Sequence, residues 1–247
     1  MGNRAIIKGK NSDLGLYVHW NGGYDSVYPI LQYCKLKGYR GMDADSYGLA
    51  RLCQVYANFF GGTNSVGIEK VERNMTAGIV EGYGLDNGVY EVDNDWNIVT
   101  HWNYSGREVV REVIDAPISD SELKESLLFI DRQMPEHDRL GADFLMADVV
   151  PVSDIKIGDK VFVETLGGCE LRTVEGYGKD EYVNGTHILN VPYVDLYSHK
   201  NDFTGENDYS WNINNYIRTE TVRRKHIADE ELVKEIAGEL WTKMKGE

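Results

Sequence analysis

The chain has few of the residues that mark secreted, membrane-spanning or metal-stabilised proteins. It contains only three cysteines and five prolines, and no apolar run approaches the ~20 residues that a membrane-spanning helix needs. Cys34, Cys53 and Cys169 are too few and too widely spaced for a disulfide framework or a zinc site. The N-terminus lacks the apolar core of a signal peptide. We therefore expect a cytoplasmic protein whose cysteines are core thiols.

Positive charge is also scarce. The 247 residues include 26 lysines and arginines against 40 aspartates and glutamates, which gives a formal net charge of −14. Such an excess of negative charge repels nucleic acids and anionic membranes, and we expect neither to bind directly. Two explanations of the charge stay open. The negative charge serves solubility alone, or the protein is an acidic interaction protein whose surface imitates DNA and thereby blocks a DNA-binding partner.

Strand, turn and helix signals follow one another in a way that predicts an α+β protein. We predict a first domain over 1–148, in which helices pack on an antiparallel sheet. A small β-rich, barrel-like module is expected over 149–226, because short alternating segments are separated there by turn residues. A C-terminal amphipathic helix is expected over 227–247. In the first domain the predicted strands are 4–9, 14–20, 65–73, 78–83, 88–92 and 96–102, and the predicted helices are 26–37, 46–60, 107–114 and 120–134.

The strongest functional signal is the segment Tyr-Val-His-Trp-Asn-Gly-Gly at 17–23. A strand with a polar and aromatic end runs into Gly22 and Gly23, and a helix capped by Asp25 or Ser26 is expected to begin at once. A turn of this kind directs unpaired backbone N–H groups and the positive end of a helix dipole towards one place. The segment therefore predicts a binding site for an anion.

The tripeptide His-Trp-Asn occurs at 19–21 and again at 101–103, each time at the end of a predicted strand. If the two copies share a site, the tryptophans offer stacking faces, and the histidines and asparagines offer hydrogen bonds. Coincidence stays open as the alternative. Arg4 and Lys8, on one face of the first predicted strand, would neutralise the ligand, unless they only protect an exposed edge. The candidate ligand-binding residues are Arg4, Lys8, His19, Trp20, Asn21, Gly22, Gly23, His101, Trp102 and Asn103.

The chain shows no complete catalytic or metal-binding signature. Ser26 and Ser105 lack the G-x-S-x-G context of a hydrolase nucleophile, and no Walker sequence occurs. Asp93-x-Asp95 lacks the other ligands of a calcium loop and predicts a turn. We therefore predict no catalytic residue, metal or cofactor. A nucleotide hydrolase that uses His19 or His101 as a general base stays open as an alternative.

The opening residues Met-Gly-Asn-Arg-Ala-Ile-Ile, followed by Leu-Tyr-Val-His-Trp-Asn-Gly at 16–22, resemble a type of phage and mobile-element accessory protein. That type opens Met-Gly-x-Arg and has a Tyr-x-His-Trp-x-Gly core. The resemblance implies a protein of the bacterial host cytoplasm that interferes with host defence, in some cases by sequestering nucleotide signals. Our leading expectation is a non-enzymatic binder of a small anionic, nucleotide-like molecule. A host protein as partner and a homo-oligomer both stay open.

Overall fold

The computed structural model shows two compact units, Met1–Gly141 and Ala142–Glu247. The predicted domain boundary at residue 148 lies beyond this division, and the predicted C-terminal helix at 227–247 lies outside the described residues.

The α+β class is confirmed. Among the described residues, no helix combines the length and the apolar character needed to span a bilayer. The structure describes residues 2–61, 65–105, 108–112, 118–151, 154–156, 158–165, 168–173, 176–179, 187–191, 215–217 and 221–224.

The first unit contains a six-stranded sheet with helices on both faces. The elements are β1 (Ala5–Gly9), β2 (Leu14–Val18), α1 (Tyr24–Leu36), α2 (Ser46–Phe59), β3 (Val66–Lys70), α3 (Ala77–Tyr83), β4 (Val89–Val92), β5 (Ile98–Ser105), β6 (Glu108–Glu112) and α4 (Asp120–Gln133). The strand order is β3-β2-β1-β4-β5-β6, and every pair is antiparallel except β1 and β4. The central strand β1 is buried along its whole length.

Alternate residues of the strands build two cores. On one face, Ile6 of β1 and Val89 of β4 pack with Val80 of α3. On the other, α2 contacts β2 and β3, and α1 and α4 contact α2 and each other. Asp131 in α4 is buried and accepts hydrogen bonds from the Tyr33 hydroxyl at 2.8 Å and from two backbone amides. This buried carboxylate fixes α4 against α1.

Three predicted features of this unit are confirmed. The helix predicted over 120–134 is α4, and Ser119 and Glu122 form the expected capping box. The hairpin predicted from 88–92 and 96–102 is β4 and β5. Asp93 makes the turn between them, because its carboxylate accepts the amides of Asp95 and Asn97 at 2.9 and 2.8 Å. At these three places the local turn and capping residues are sufficient to predict the structure from the sequence.

Three other predictions are wrong. The segment predicted as a strand over 78–83 is helix α3, which is capped by Thr76 and ends at Gly84 with φ 58°. The segment predicted as a helix over 107–114 forms β6, because pairing with β5 places Val109 in the same core as α3. Helix α1 begins at Tyr24, so Asp25 and Ser26 lie within its first turn and do not cap it.

The cysteines with described side chains are free. Cys34 is buried, as predicted for a core thiol, and Cys53 is half-buried. Burial raises the pKa of both thiols. Both are therefore protonated at neutral pH, which does not suit a nucleophile.

The second unit is rich in β-strands in its described part. The elements are α5 (Ala142–Leu145), β7 (Asp148–Pro151), β8 (Lys160–Thr165), β9 (Gly168–Thr173), β10 (Gly176–Lys179), β11 (His187–Val191), β12 (Asn215–Ile217) and β13 (Thr221–Arg224). The strands form a four-stranded sheet in the order β7-β13-β8-β9 and a three-stranded sheet in the order β10-β11-β12. Closure of these strands into a barrel stays a prediction.

Candidate functional site

The diglycine turn is closed by the protein itself. The amide of Gly22 donates to the Asn3 carbonyl at 2.8 Å, and its own carbonyl accepts from the Tyr90 hydroxyl at 3.1 Å. A Cβ placed on Gly22 would lie 2.6 Å from the Asn3 oxygen and 2.8 Å from Ala5. Glycine is therefore needed here for close packing against the chain at β1. The Gly22 amide, which the prediction left unpaired for a ligand, is therefore engaged within the fold.

Gly23 has a role in helix formation. It is buried and precedes Tyr24, the first residue of α1. Its carbonyl oxygen accepts the amides of Ser26 and Val27 at 3.1 and 2.9 Å. These bonds close the first turn of the helix. Gly23 therefore contributes to the start of α1 through its backbone.

The two His-Trp-Asn copies lie in different surroundings. His101 is buried, stacks on Tyr90 with ring centroids 4.0 Å apart, and has Nε2 2.8 Å from the Asn87 carbonyl. His19 shares a hydrogen bond of 2.9 Å with the Tyr17 hydroxyl and contacts Trp20 edge to face. Each histidine is thus held by its own neighbours, and no shared pocket for the two copies is formed by these contacts.

The remaining residues of the tripeptides also differ. The Trp20 side chain is 45% exposed. Trp102 is half-buried and packs against the core beneath α3, and its indole N–H donates to Glu91 at 3.1 Å. The side-chain oxygen of Asn103 accepts the amide of Tyr104 at 2.8 Å. The matching tripeptides therefore serve unlike structural roles.

The two predicted charge partners are already paired. The Arg4 guanidinium contacts Asp86 at 2.8 Å, and this hydrogen bond lowers the pKa of the Asp86 carboxyl. Lys8 is completely buried, and its Nζ lies 3.4 Å from a carboxylate oxygen of Glu91 and within 3.3 Å of two backbone carbonyls. Glu91 also accepts from Trp102, so the structure links Lys8 to Trp102 through this carboxylate. Lys8 is therefore inaccessible to a ligand at the turn, whereas Arg4 is partly exposed and would have to leave Asp86 to meet one.

A groove of about 400 Å³ opens in the first unit, where the start of α1, the end of α2 and the middle of α4 meet. Of the ten candidate residues, Asn21 lines it. Asn21 adopts φ 55°, a left-handed conformation that asparagine tolerates well, and its amide nitrogen contacts the Ser26 hydroxyl at 3.4 Å. The lining residues are Asn21, Asp25, Ser26, Pro29, Phe59, Glu125, Ser126, Phe129 and Ile130.

Helical spacing explains why these side chains share the groove. Residues four apart lie on the same side of a helix, and Asp25 and Pro29 are paired in this way on α1. On α4, Glu125 is followed by Phe129, and Ser126 by Ile130 (residues with the same spacing). Each helix therefore presents a polar group beside an apolar one.

The groove has an apolar floor and an acidic rim. Pro29 and Ile130 are buried, whereas Asp25 and Glu125 are exposed. Phe129 is 54% exposed and meets Phe59 edge to face with ring centroids 5.8 Å apart. Among the described residues that line the groove, none is lysine, arginine or histidine. The arrangement favours a ligand group that is positively charged and partly apolar, and it disfavours a phosphate.

Sequence reasoning missed the groove because its residues come from three distant helices. One signal was available. On α4 the predicted inner stripe contains Leu127 and Ile130, and Phe129 lies beside this stripe on the exposed side. In the structure this side chain meets Phe59 of α2, so the exposed aromatic residue marks where the two helices meet.

Comparison with known proteins identifies no relative of this chain, because no protein-family model, curated protein or solved structure matches it. Within the described residues, no three histidine, cysteine, aspartate or glutamate side chains are grouped so that they could hold a metal ion. The groove and the distribution of charge are therefore the observations that bear on function.

Proposed function

We propose that this chain is an acidic interaction protein that binds a basic, partly apolar part of a partner protein in the α1–α2–α4 groove. One observation carries the proposal. Two exposed carboxylates, on Asp25 and Glu125, stand at the rim of an apolar groove whose described lining includes no cation. A cationic side chain entering such a groove gains charge pairing at the rim and apolar contact at the floor.

The charge of the whole chain supports the same partner class. A formal charge of −14 attracts basic surfaces at long range and accelerates their association, in a manner that salt weakens. DNA-binding proteins carry such basic surfaces. The charge suggests a DNA-binding partner and the N-terminal resemblance a defence protein of a bacterial host, and both identities stay predictions.

The nucleotide-like anionic ligand also stays a prediction, with less support from the site. Its two proposed cations are paired with Asp86 and Glu91, and the groove carries negative charge. A hydrolase with His101 as general base has little support as well, because that ring is buried and stacked on Tyr90. The geometry favours binding to a cation.

Calorimetry with peptides tests the proposal. A basic peptide that contains arginine, lysine, phenylalanine and glycine should bind. An acidic peptide, in which glutamate and aspartate replace the arginine and lysine, should not bind, and neither should a panel of cyclic and linear nucleotides. Glu125→Gln should weaken binding of the basic peptide about fivefold, since an interfacial charge pair contributes on the order of 1 kcal/mol or more.

The matched control is Glu81→Gln. Glu81 is an exposed carboxylate on α3, which covers the opposite face of the sheet, and its replacement changes the net charge by the same amount. Peptide affinity should therefore stay within about twofold of the unmodified protein. Equal losses in Glu125→Gln and Glu81→Gln, or no binding of the basic peptide, would contradict a role for the groove.

A further inference from the structure

The polar groups of the groove are mostly hydrogen-bond acceptors, and an aromatic face lies beside them. From this combination we infer that the group which enters the groove is an arginine side chain of the partner. The inference rests on the proposed function and names the residue type that the groove selects.

The acceptor count favours a ligand with many donors. The carboxylates of Asp25 and Glu125 only accept hydrogen bonds. Asn21 donates one N–H to the Ser26 hydroxyl and keeps its amide oxygen as an acceptor and a second N–H, so acceptors outnumber donors in the groove lining. A guanidinium group carries five N–H donors and no acceptor, so it satisfies such a set without leaving an unmatched acceptor of its own.

The aromatic wall favours a flat cation. Phe129 is 54% exposed, and its edge-to-face contact with Phe59 holds the ring without covering both of its faces. A guanidinium plane stacks on such a face and still directs its N–H groups outward to carboxylates in the same plane. The methylene groups of arginine would at the same time cover Pro29 and Ile130 at the floor.

Lysine fits the same groove less well. Its ammonium group is compact and strongly hydrated, and it has three donors and no flat face. It would pair with Asp25 or Glu125 at the rim, but it would gain less from the exposed ring of Phe129 and would lose more hydration on entry. The groove should therefore distinguish two side chains of equal charge.

The test uses the full chain and a series of peptides that differ at one central residue, which is arginine, lysine or citrulline. Citrulline has nearly the shape of arginine but no charge. We expect the arginine peptide to bind about fivefold more tightly than the lysine peptide, and the citrulline peptide to bind at least as weakly as lysine. Phe129→Leu should remove the preference for arginine over lysine, and Phe129→Tyr should retain it.

Tyr47→Leu is the matched control, because Tyr47 is a 61% exposed aromatic residue outside the groove lining. It should leave the preference unchanged, and circular dichroism confirms that each variant is folded. Equal binding of arginine and lysine peptides would overturn the inference while the proposed function stands. Equal binding of arginine and citrulline peptides would overturn both, and so would the absence of binding by every peptide.

Discussion

The buried ion pair between Lys8 and Glu91 gives the sharpest prediction about the fold. Lys8 is fully buried on the central strand, and the Glu91 side chain is 12% exposed on the neighbouring strand β4. Replacement of Glu91 by glutamine keeps the size and one acceptor but removes the charge. A buried ammonium group then loses the only carboxylate that contacts it among the described residues.

The expected loss is about 2–3 kcal/mol in the free energy of unfolding. Breaking a buried pair by removing one partner typically costs about 3–5 kcal/mol. The smaller value applies here because Lys8 keeps the carbonyl oxygens of Lys10 and Arg73, at 3.3 and 3.2 Å. Glutamine has one acceptor oxygen, whereas Glu91 uses one oxygen for Lys8 and the other for Trp102, so a loss remains.

Urea unfolding of the full chain, followed by circular dichroism and tryptophan fluorescence, measures this loss. The double variant Lys8→Met/Glu91→Leu removes both charges. Its loss of stability should be smaller than the sum of the losses in Lys8→Met and Glu91→Leu. A loss below about 0.5 kcal/mol for Glu91→Gln, the level of an ordinary surface substitution, would refute the assignment of this pair to the buried structure.

The other predictions concern the turn, an exposed ion pair and a helix cap. Gly22→Ala should lower the free energy of unfolding by about 1–3 kcal/mol, because its Cβ would lie 2.6 Å from the Asn3 oxygen; an unchanged urea midpoint would contradict this close packing. The hydrogen bond from Arg4 lowers the pKa of Asp86 from 3.8, so this pair stabilises the fold above about pH 4, and the stabilisation is lost as the pH falls through the lowered value. Asp86→Asn should therefore make the melting temperature less dependent on pH in the acid range. Identical melting temperatures of the variant and the unmodified protein at every pH would exclude this effect. Ser119→Ala should cost about 1 kcal/mol by removing the capping box of α4, measured by thermal unfolding, and an unchanged midpoint would show that the box does not stabilise the helix.

Elements with strong local signals could be predicted from the sequence. Helix α4 has an apolar stripe and a capping box, and the β4–β5 hairpin has turn residues at its centre, so both were located within a few residues. The segments that became α3 and β6 are short and apolar, and such runs suit either structure until packing decides. Val80 and Val109 pack in the same core. The packing there requires a helix at Val80 and a strand at Val109, and the local sequence does not show this difference.

The candidate site could not be predicted in the same way. The glycines at 22 and 23 do form the turn between β2 and α1. However, the Gly22 amide donates its hydrogen bond to the carbonyl of Asn3, which lies far from it in sequence, and is not free for a ligand. The groove begins beside the glycines at Asn21 and extends along the start of α1, where α1 meets residues of α2 and α4. No local pattern joins Asp25 to Glu125, because their proximity depends on how three helices pack.

Calorimetry on two double variants of equal net charge separates binding in the groove from attraction by the whole chain. The basic peptide is titrated into the double variant Asp25→Asn/Glu125→Gln and into Glu72→Gln/Glu81→Gln, which has the same net charge with the neutralised carboxylates outside the groove. The groove account predicts about tenfold weaker binding for the first variant, equivalent to about 1.4 kcal/mol, and nearly unchanged binding for the second. Equal affinities of the two variants would contradict it, because the total charge alone would then explain binding.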